Sequence, residues 1–340
     1  MKHIQLGNTG IEIEKNGFGC LPIQRISKDD AAYLLRKAVE GGINYFDTAR
    51  GYSDSEEKMG CAFAGMRDKV VLATKSHAQD AKEMRAHLET SLRMLQTDYI
   101  DVYQFHNLPF CPKPSGEDGL YEEALKAKQE GKIHHISITN HRLAVAQEAI
   151  DSGLYATLQF PFSYLSGEQE RKLIEGCRAK GMGFIAMKGM AGGLIRDGYA
   201  AAAFMETQEG VVPIWGVQHE WELDQFLDVV RNGAALTPER RTVIEKDRAE
   251  LSGEFCRGCG YCMPCPMGIE INNCARMTLM LRRAPAKAWL TEEWQEKMRK
   301  IETCLHCNSC ASKCPYGLDT PKLLGENYEE YWKILAASQN

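Results

Sequence analysis

The sequence predicts an α/β protein: a (β/α)8 barrel over residues 1–240, followed by a small α-helical domain over residues 241–340. Two observations predict this organisation. Up to about residue 240, short β-branched or aromatic runs alternate with longer segments of helical periodicity. Beyond that point, eight of the thirteen cysteines form two short runs. The 340 residues are enough for one large and one small domain.

Eight segments before residue 240 are strand candidates, and helical patterns lie between them. They are residues 17–20, 43–48, 70–75, 99–106, 133–139, 156–162, 183–188 and 210–216. Residues 27–42 illustrate the helices, since they begin with a serine cap and end on two glycines. Eight strands alternating with helices is the count of a closed parallel barrel. An open doubly wound sheet is the alternative, but no GxGxxG sequence follows an early strand.

The segments that flank the barrel are also readable. Residues 4–14 alternate in polarity around Asn8, Thr9 and Gly10, which predicts a β-hairpin ahead of the first barrel strand. Residues 236–255 are polar, charged and helical in pattern, and they are expected to lead into the cysteine-rich domain.

Composition excludes several classes of partner. A net charge of −5 gives no basic surface for nucleic acid. No apolar run approaches the roughly eighteen residues that span a bilayer, and the first residues lack the apolar core of a secretory signal. We therefore expect a cytoplasmic protein without a membrane partner. In a reducing compartment, clustered cysteines hold metal more often than they form disulfides.

Polar and charged side chains end three neighbouring predicted strands. Asp47 ends the second strand and Tyr52 follows five residues later, while Lys75 ends the third strand and His106 the fourth. In a parallel barrel the loops after the strands converge at the carboxyl ends, where active sites form. We therefore expect these four side chains to meet at one rim of the barrel.

The four residue types suit the reduction of a carbonyl group. Hydride addition leaves an alkoxide that needs a proton, and a free tyrosine has a pKa of about 10. Lys75 is expected to lower the pKa of Tyr52, Asp47 to hold Lys75 charged, and His106 to orient the carbonyl oxygen. Taken alone, Asp47 could be a loop-capping residue, and Tyr52 and Lys75 could be ordinary rim residues. His106 could be a partly buried histidine with its hydrogen bonds satisfied. Their joint placement favours catalysis.

Residues 1 to about 235 resemble the aldo-keto reductase family, through "LGNTGIEIEKNGFG", "GINYFDTARGYSDSEEKMG" and the strand ends at Lys75 and His106. The resemblance implies a TIM barrel, an NAD(P)H-dependent oxidoreductase of small carbonyl or alcohol substrates, and Tyr52 as proton donor. It also implies a set of contacts to the nicotinamide cofactor, which comprises Thr139, Asn140, Gln159, Met187 and Gly216. Met187 stands where many members stack an aromatic ring on the nicotinamide.

The sequence slightly favours NAD(H) over NADP(H). Family members that prefer NADPH usually carry Lys and Arg for the 2′-phosphate after the eighth strand. Here residues 215–226 contain neither. His219 is the one possible cation of that stretch, beside Glu220, Glu222 and Asp224.

The two cysteine runs predict iron–sulfur clusters. Cys304 to Pro315 matches the C-x2-C-x2-C-x3-C-P signature of bacterial ferredoxins, whose fourth cysteine serves the other cluster, and the run that begins at Cys256 is one residue shorter. The crossed pattern assigns one 4Fe-4S cluster to Cys256, Cys259, Cys262 and Cys314, and the other to Cys304, Cys307, Cys310 and Cys265. Two four-thiolate zinc sites are the alternative, but zinc sites usually use two cysteine pairs separated by a longer spacer.

Two functions are consistent with these patterns. The first is an aldo-keto reductase-type oxidoreductase whose clusters exchange electrons with a ferredoxin-like partner. The second is an iron–sulfur electron-transfer or redox-sensing protein that uses the barrel as a scaffold. Nicotinamide moves two electrons as hydride and each cluster moves one, and no flavin fingerprint is present to couple them. The four rim residues favour the first function. The domain after residue 240 resembles the C-terminal extensions of an aldo-keto reductase subgroup.

Overall fold

A computed structural model describes residues 2–251, 255–283 and 289–338. The chain forms two compact units. The barrel unit comprises Met1–Gly189 and Asp197–Ile244, and the cysteine unit comprises Met190–Arg196 and Glu245–Asn340. The short segment Met190–Arg196 thus groups with the cysteine unit, although barrel residues precede and follow it along the chain.

Eight parallel strands close a barrel in chain order, and the last pairs with the first. These strands are β3 (Gly17–Gly19), β4 (Tyr45–Asp47), β5 (Val71–Ser76), β6 (Ile100–His106), β7 (Ile133–Thr139), β8 (Thr157–Pro161), β9 (Gly183–Met187) and β10 (Val211–Gly216). Each lies within a segment predicted from the sequence or extends it by one residue. The predicted (β/α)8 barrel is confirmed.

The helices between the strands present an apolar face to the barrel. Their bounds are α1 (Lys28–Glu40), α2 (Ser55–Ala62), α3 (Ala81–Leu95), α4 (Leu120–Gln129), α5 (Leu143–Ser152), α6 (Glu168–Lys180), α7 (Gly198–Glu206) and α8 (Glu220–Asn232). Helix α1 begins where the sequence predicts, since the Ser27 hydroxyl accepts a hydrogen bond from Asp30 N at 3.1 Å. It buries Leu34, Leu35 and Ala38. Helix α9 (Pro238–Glu250) lies in the predicted helical segment 236–255.

The N-terminal hairpin seals the amino end of the barrel. Strands β1 (His3–Gln5) and β2 (Glu12–Glu14) pair antiparallel, as predicted. Leu6 and Ile13 pack in one core with interior side chains from five barrel strands. These side chains are Tyr45, Ala73, Val102, Ile185, Met187, Val212 and Ile214. Asn8 N donates to Gly181 O at 2.7 Å, beside the start of β9. The opposite, carboxyl end of the barrel is therefore the one available for a site.

The cysteine unit is helical, as predicted. Its helices are α10 (Ile271–Cys274), α11 (Met277–Arg283), α12 (Glu292–Arg299), α13 (Ser309–Ser312) and α14 (Thr320–Ser338). They enclose a core that includes Ile269, Cys274, Met277, Met298, Leu324 and Tyr331. Residues 284–288 of the predicted helical stretch lie outside the described residues. None of the helices described here is long and apolar enough to cross a bilayer.

Gly7 and Gly10 provide a matched test of the hairpin seal. Both have positive φ (56° and 74°), but an added Cβ at Gly7 would lie 2.3 Å from Gly183 N, whereas Gly10 faces open space. We expect Gly10→Ala to cost about 1 kcal/mol, from backbone strain alone. Gly7→Ala should cost about 2–4 kcal/mol because the contact adds to the strain. Equal costs in denaturant unfolding would contradict tight packing at Gly7.

Candidate functional site

The structure brings Asp47, Tyr52, Lys75 and His106 together at the carboxyl end of the barrel. Asp47 is the last residue of β4, His106 is the last of β6, and Lys75 lies between them in β5. Tyr52 lies in the loop between β4 and α2, in a turn where its N–H donates to Ala49 O at 3.0 Å. Three neighbouring strands and one short loop thus position the four side chains.

Lys75 and Asp47 form a buried ion pair at the centre of the site. Lys75 Nζ donates to Asp47 Oδ1 at 2.7 Å and also to Thr48 O. The two side chains are only 1% and 3% exposed. Burial lowers the pKa of Lys75, but Asp47 and Tyr52 raise it by more, so the net pKa lies above its ordinary value. Lys75 is therefore a permanent cation within an almost dry site.

Two glutamine amides hold the Asp47 carboxylate in place. Gln104 Nε2 donates to Asp47 Oδ2 at 2.9 Å, and Gln159 Nε2 donates to Asp47 Oδ1 at 3.2 Å. Gln104 was not among the predicted site residues. It could have been found from spacing, because Gln104 and His106 are two residues apart on one strand and so share a face.

Tyr52 lies beside the Lys75 ammonium. Lys75 Nζ is 4.8 Å from the centre of the Tyr52 ring, and the rings of Tyr52 and His106 meet edge-to-face at 5.9 Å. Burial raises the pKa of Tyr52, and Lys75 lowers it, as expected from the sequence. The effect of burial is the larger, so the net pKa lies above its ordinary value. Tyr52 is therefore a neutral phenol at neutral pH, which is the form that donates a proton.

His106 is a neutral imidazole across the physiological pH range. Burial, and then the charge of Lys75, lower its pKa to about 3. Its Nδ1 atom is buried and has no hydrogen-bond partner within the described part of the chain. Cys20, which directly follows β3, is fully buried next to Asp47, and burial raises the pKa of its thiol well above the usual value. His106 can therefore serve as a neutral hydrogen-bonding group.

The predicted cofactor contacts lie at the same end of the barrel, on four strands and their loops. Thr139 ends β7, Met187 ends β9 and Gly216 ends β10. The amide of Asn140 joins neighbouring loops, since its Nδ2 donates to Leu108 O at 2.8 Å and its Oδ1 accepts from His141 N. Gln159 Oε1 is buried and without a partner among the described residues, so it offers an acceptor to a bound group.

Lys188 was missed in the sequence, and Glu222, named there only as an acidic neighbour of His219, has a defined place near the rim. Lys188 directly follows β9 with a left-handed backbone (φ 59°), which is uncommon for a residue other than glycine. Glu222 lies in the first turn of α8, where its carboxylate accepts from Gln218 N at 2.7 Å and His219 N at 2.9 Å. Neither position carries a motif, and only the folded backbone places them here.

In the cysteine unit the eight run cysteines line two separate cavities. One cavity is lined by Cys256, Cys259, Cys262 and Cys314, the other by Cys265, Cys304, Cys307 and Cys310, together with Cys262. Each cavity therefore combines three cysteines of one run with the last cysteine of the other.

Each cavity includes the four cysteines of one crossed set. All eight cysteines are free thiols. Four cysteines per site is the ligand number of a 4Fe-4S cluster, so these sets fit iron–sulfur clusters.

Comparison with known proteins agrees with this geometry. Residues 4–238 match the model of the aldo/keto reductase family, which is more than half of the chain. The chain belongs to the aldo/keto reductase family. Residues 255–319 match the 4Fe-4S dicluster domain. This aldo-keto reductase therefore carries an iron–sulfur domain C-terminal to its barrel.

Its relatives are oxidoreductases. L-galactose dehydrogenase of Arabidopsis thaliana is 30% identical over 56% of this chain and 66% of its own length, just under two thirds. The uncharacterised oxidoreductase YrpG of Bacillus subtilis is 28% identical over 68% of this chain and 79% of its own length. The holo form of aldo-keto reductase AKR11C1 from Bacillus halodurans has the same fold, with 24% identity and a TM-score of 0.63 over 73% of this chain and 96% of that one.

The low pKa of His106 predicts an acid-dependent loss of stability. In the unfolded chain His106 becomes protonated below its ordinary pKa of 6.5. In the folded chain it stays neutral until the pH falls to about 3. The free energy of unfolding should therefore fall as the pH drops through this window. In His106→Asn the fall should be shallower by up to about 1.4 kcal/mol per pH unit. Parallel curves from denaturant unfolding at pH 4 to 7 would contradict a neutral, buried His106.

Proposed function

We propose that the barrel reduces the carbonyl group of a small molecule, or oxidises the corresponding alcohol, with NAD(P)(H) as hydride carrier. The buried Lys75–Asp47 pair beside Tyr52 and His106 carries this proposal. A cation, a neutral phenol and a neutral imidazole share one almost dry rim, which is what charge development on a carbonyl oxygen requires. One relative is named L-galactose dehydrogenase, which supports a reaction that interconverts an alcohol and a carbonyl group.

The protein's own groups would act on the carbonyl oxygen. A bound nicotinamide supplies hydride to the carbonyl carbon. As negative charge grows on the oxygen, Tyr52 gives up its phenolic proton to it, so that a C–H and an O–H bond form and an alcohol results. Lys75 stabilises the phenolate that remains, and Asp47 holds Lys75 in place. His106, being neutral, donates a hydrogen bond without competing for the proton.

The residues at the rim fit a nicotinamide carboxamide. Gln159 Oε1 is a buried acceptor without a partner among the described residues, and a carboxamide NH2 is a donor of the right kind. We propose Gln159 as the primary carboxamide contact, with Thr139 and Met187 beside it and Gly216 at the end of β10. A Cβ at Gly216 would lie 3.1 Å from Pro22 Cγ, so little side chain would fit there. Asn140 Nδ2 already donates one N–H to Leu108 O, so its second N–H is the one that would reach the carboxamide oxygen.

The surroundings of α8 favour NADH over NADPH. The Glu222 carboxylate occupies the amino end of this helix, where a 2′-phosphate would otherwise find N–H donors. Lys37 pairs with both Glu220 and Asp224, at 2.5 and 2.6 Å, and is committed to them. A 2′-phosphate near α8 would therefore meet the Glu222 carboxylate, which has no cationic partner within residues 215–226. It would find no Lys or Arg in that segment to bind it.

The cysteine unit would carry two 4Fe-4S clusters, held by the crossed ligand sets that the two cavities group together. Such clusters accept and release electrons singly. We propose that they exchange electrons with a ferredoxin-like protein partner. The proposal is supported by the match of residues 255–319 to a dicluster domain and by the grouping of each crossed cysteine set around one cavity.

Tyr52→Phe tests the proton donor. We expect carbonyl reduction to fall by about 10²–10⁴-fold, with nucleotide binding and iron content unchanged, because only the proton is lost. Tyr45→Phe is the matched control, since the Tyr45 hydroxyl is also buried but has no partner in the described structure and lies in the barrel core. Aldehyde reduction assayed at saturating nucleotide decides it. Wild-type turnover in Tyr52→Phe would remove Tyr52 from the mechanism.

Nucleotide choice has its own test. We expect NADH to bind at least as tightly as NADPH, because Glu222 repels a phosphate near α8. Glu222→Gln should improve NADPH binding while leaving NADH binding nearly unchanged. Fluorescence titration of both nucleotides against the same protein samples measures this. A clear NADPH preference in the wild-type protein would show that a cation elsewhere reaches the phosphate.

Iron content tests the ligand sets. Anaerobically purified protein should hold about eight iron atoms and eight sulfides, four of each per cluster. Cys314→Ala should lose about half of both, whereas Cys274→Ala should lose none. Cys274 is a buried cysteine of the same unit, and its sulfur lies 3.9 Å from Lys297 O. Zinc in place of iron, or equal losses in the two variants, would contradict the assignment.

A further inference from the structure

Arg276, in the turn between α10 and α11, is a buried cation without a carboxylate partner among the described residues. Arg276 is 8% exposed, and its Nη1 donates to the carbonyl oxygen of Gly192 at 2.9 Å. Across the described ranges its Nε has no hydrogen-bond partner and no carboxylate forms an ion pair with it. An unpaired buried charge costs several kcal/mol. The functional protein should therefore hold an anion next to this guanidinium.

The neighbours of Arg276 identify that anion. The guanidinium packs directly on Gly258, where an added Cβ would lie 2.5 Å from Arg276 Cζ. Gly258 separates Cys256 from Cys259, and its N–H donates to Cys256 Sγ at 3.4 Å. Thiolates of the first cluster are thus the anions within reach.

The two cysteine cavities differ in their positive charge. The cavity with Cys256 is also lined by Arg257, whose guanidinium packs over the rings of Phe255 and Tyr316 at 4.1 and 5.1 Å. The cavity with Cys304 is lined by cysteine, proline, apolar and small polar residues, without Lys or Arg among the described lining. Each electron added to a cluster makes it more negative, so a nearby cation favours the reduced form.

We propose that Arg276 is the counter-ion of the cluster bound by Cys256, Cys259, Cys262 and Cys314, and that it sets the reduction potential of this cluster above that of the other. This inference rests on the proposed cluster ligands. The Nε–H group of Arg276, which has no partner among the described residues, would donate to a cluster sulfur. Because the same guanidinium bonds to Gly192 O, it also ties the segment Met190–Arg196 to the cluster-binding turn.

Redox titration of the anaerobic, cluster-loaded full chain, followed by electron paramagnetic resonance, tests this. We expect two separate potentials in the wild-type protein. Arg276→Gln should weaken the reduction of one cluster by about tenfold, equivalent to 59 mV for one electron, and leave the other unchanged. Arg276→Lys should recover most of the loss. Arg282→Gln is the control, since Arg282 is exposed in the same unit and pairs with Glu330 at 4.0 Å.

The outcomes separate this inference from the function on which it rests. Full iron in Arg276→Gln with both potentials unmoved, or with both moved equally, would overturn the role of Arg276 alone. Loss of one cluster in Arg276→Gln but not in Arg276→Lys would support it, since the charge is what the second variant retains. Absence of iron from the wild-type protein would instead overturn the cluster assignment.

A second and independent feature lies in the barrel unit, where His77, Glu83 and His87 converge. One ligand atom from each lies within 4.8 Å of the other two. Glu83 and His87 are four residues apart on α3, and so share a face of the helix. His87 Nδ1 is 2.8 Å from Ser76 Oγ, which already accepts from Ala78 N at 3.1 Å. His87 Nε2 points to Glu83 Oε1 at 3.8 Å.

We infer that His77, Glu83 and His87 bind a divalent transition metal such as zinc. Two imidazoles and a carboxylate are a zinc ligand set that leaves a fourth position open. The Ser76 hydroxyl can accept Nδ1–H of His87, which leaves Nε2 unprotonated for the metal.

Calorimetric titration of zinc chloride into the cluster-loaded full chain tests the site. We expect one zinc per chain, with affinity lowered at least about 100-fold in His87→Gln and in His77→Asn, because each removes a ligand. His134→Gln, which removes an exposed imidazole on the far side of β6, should bind as the wild-type protein does. Iron content measured before and after titration confirms that the clusters stay bound. Identical isotherms for wild type and His87→Gln would overturn the site.

Discussion

The buried ion pair between Lys75 and Asp47 constrains the arrangement of the whole rim. Moving two charges out of water is costly, and removing either partner of such a pair typically costs about 3–5 kcal/mol. The fold offsets this cost with neighbours from other strands, since Gln104 and Gln159 both donate to Asp47. Strands β4, β5, β6 and β8 are thereby fixed relative to one another at the end where the chemistry is proposed. Tyr52 lies next to Lys75 of this network, and His106 follows Gln104 by two residues on β6.

Burial decides the protonation states of Tyr52 and His106, whereas neighbouring charges decide that of Lys75. Burial raises the pKa of Tyr52 despite the adjacent ammonium, and it lowers the pKa of His106 to about 3. The result is one fixed cation, one neutral donor of a proton and one neutral imidazole. Such a set can meet the charge that develops on a carbonyl oxygen without taking up or losing protons beforehand.

The sequence was sufficient for the barrel and for the identity of the rim residues. Strand positions follow from apolar and β-branched runs, and Asp47, Lys75 and His106 were found because they end three of them. The effect of Lys75 on the pKa of Tyr52 was predicted, but the larger effect of burial was not, because desolvation depends on packing from the whole barrel. Gln104 and Arg276 were missed because their partners are distant in sequence. The grouping of Met190–Arg196 with the cysteine unit is likewise a property of the folded chain.

The fate of the hydride distinguishes a catalytic barrel from a scaffold for the clusters. Nicotinamide cofactor carrying deuterium at C4 should be incubated anaerobically with the full chain and a panel of small aldehydes, and the products should be measured by mass spectrometry. A catalytic rim predicts one deuterium on the carbinol carbon, and none when Tyr52→Phe replaces the wild-type protein. Reduction of the clusters by the nucleotide, with no deuterium in any alcohol product, would contradict hydride transfer in the barrel.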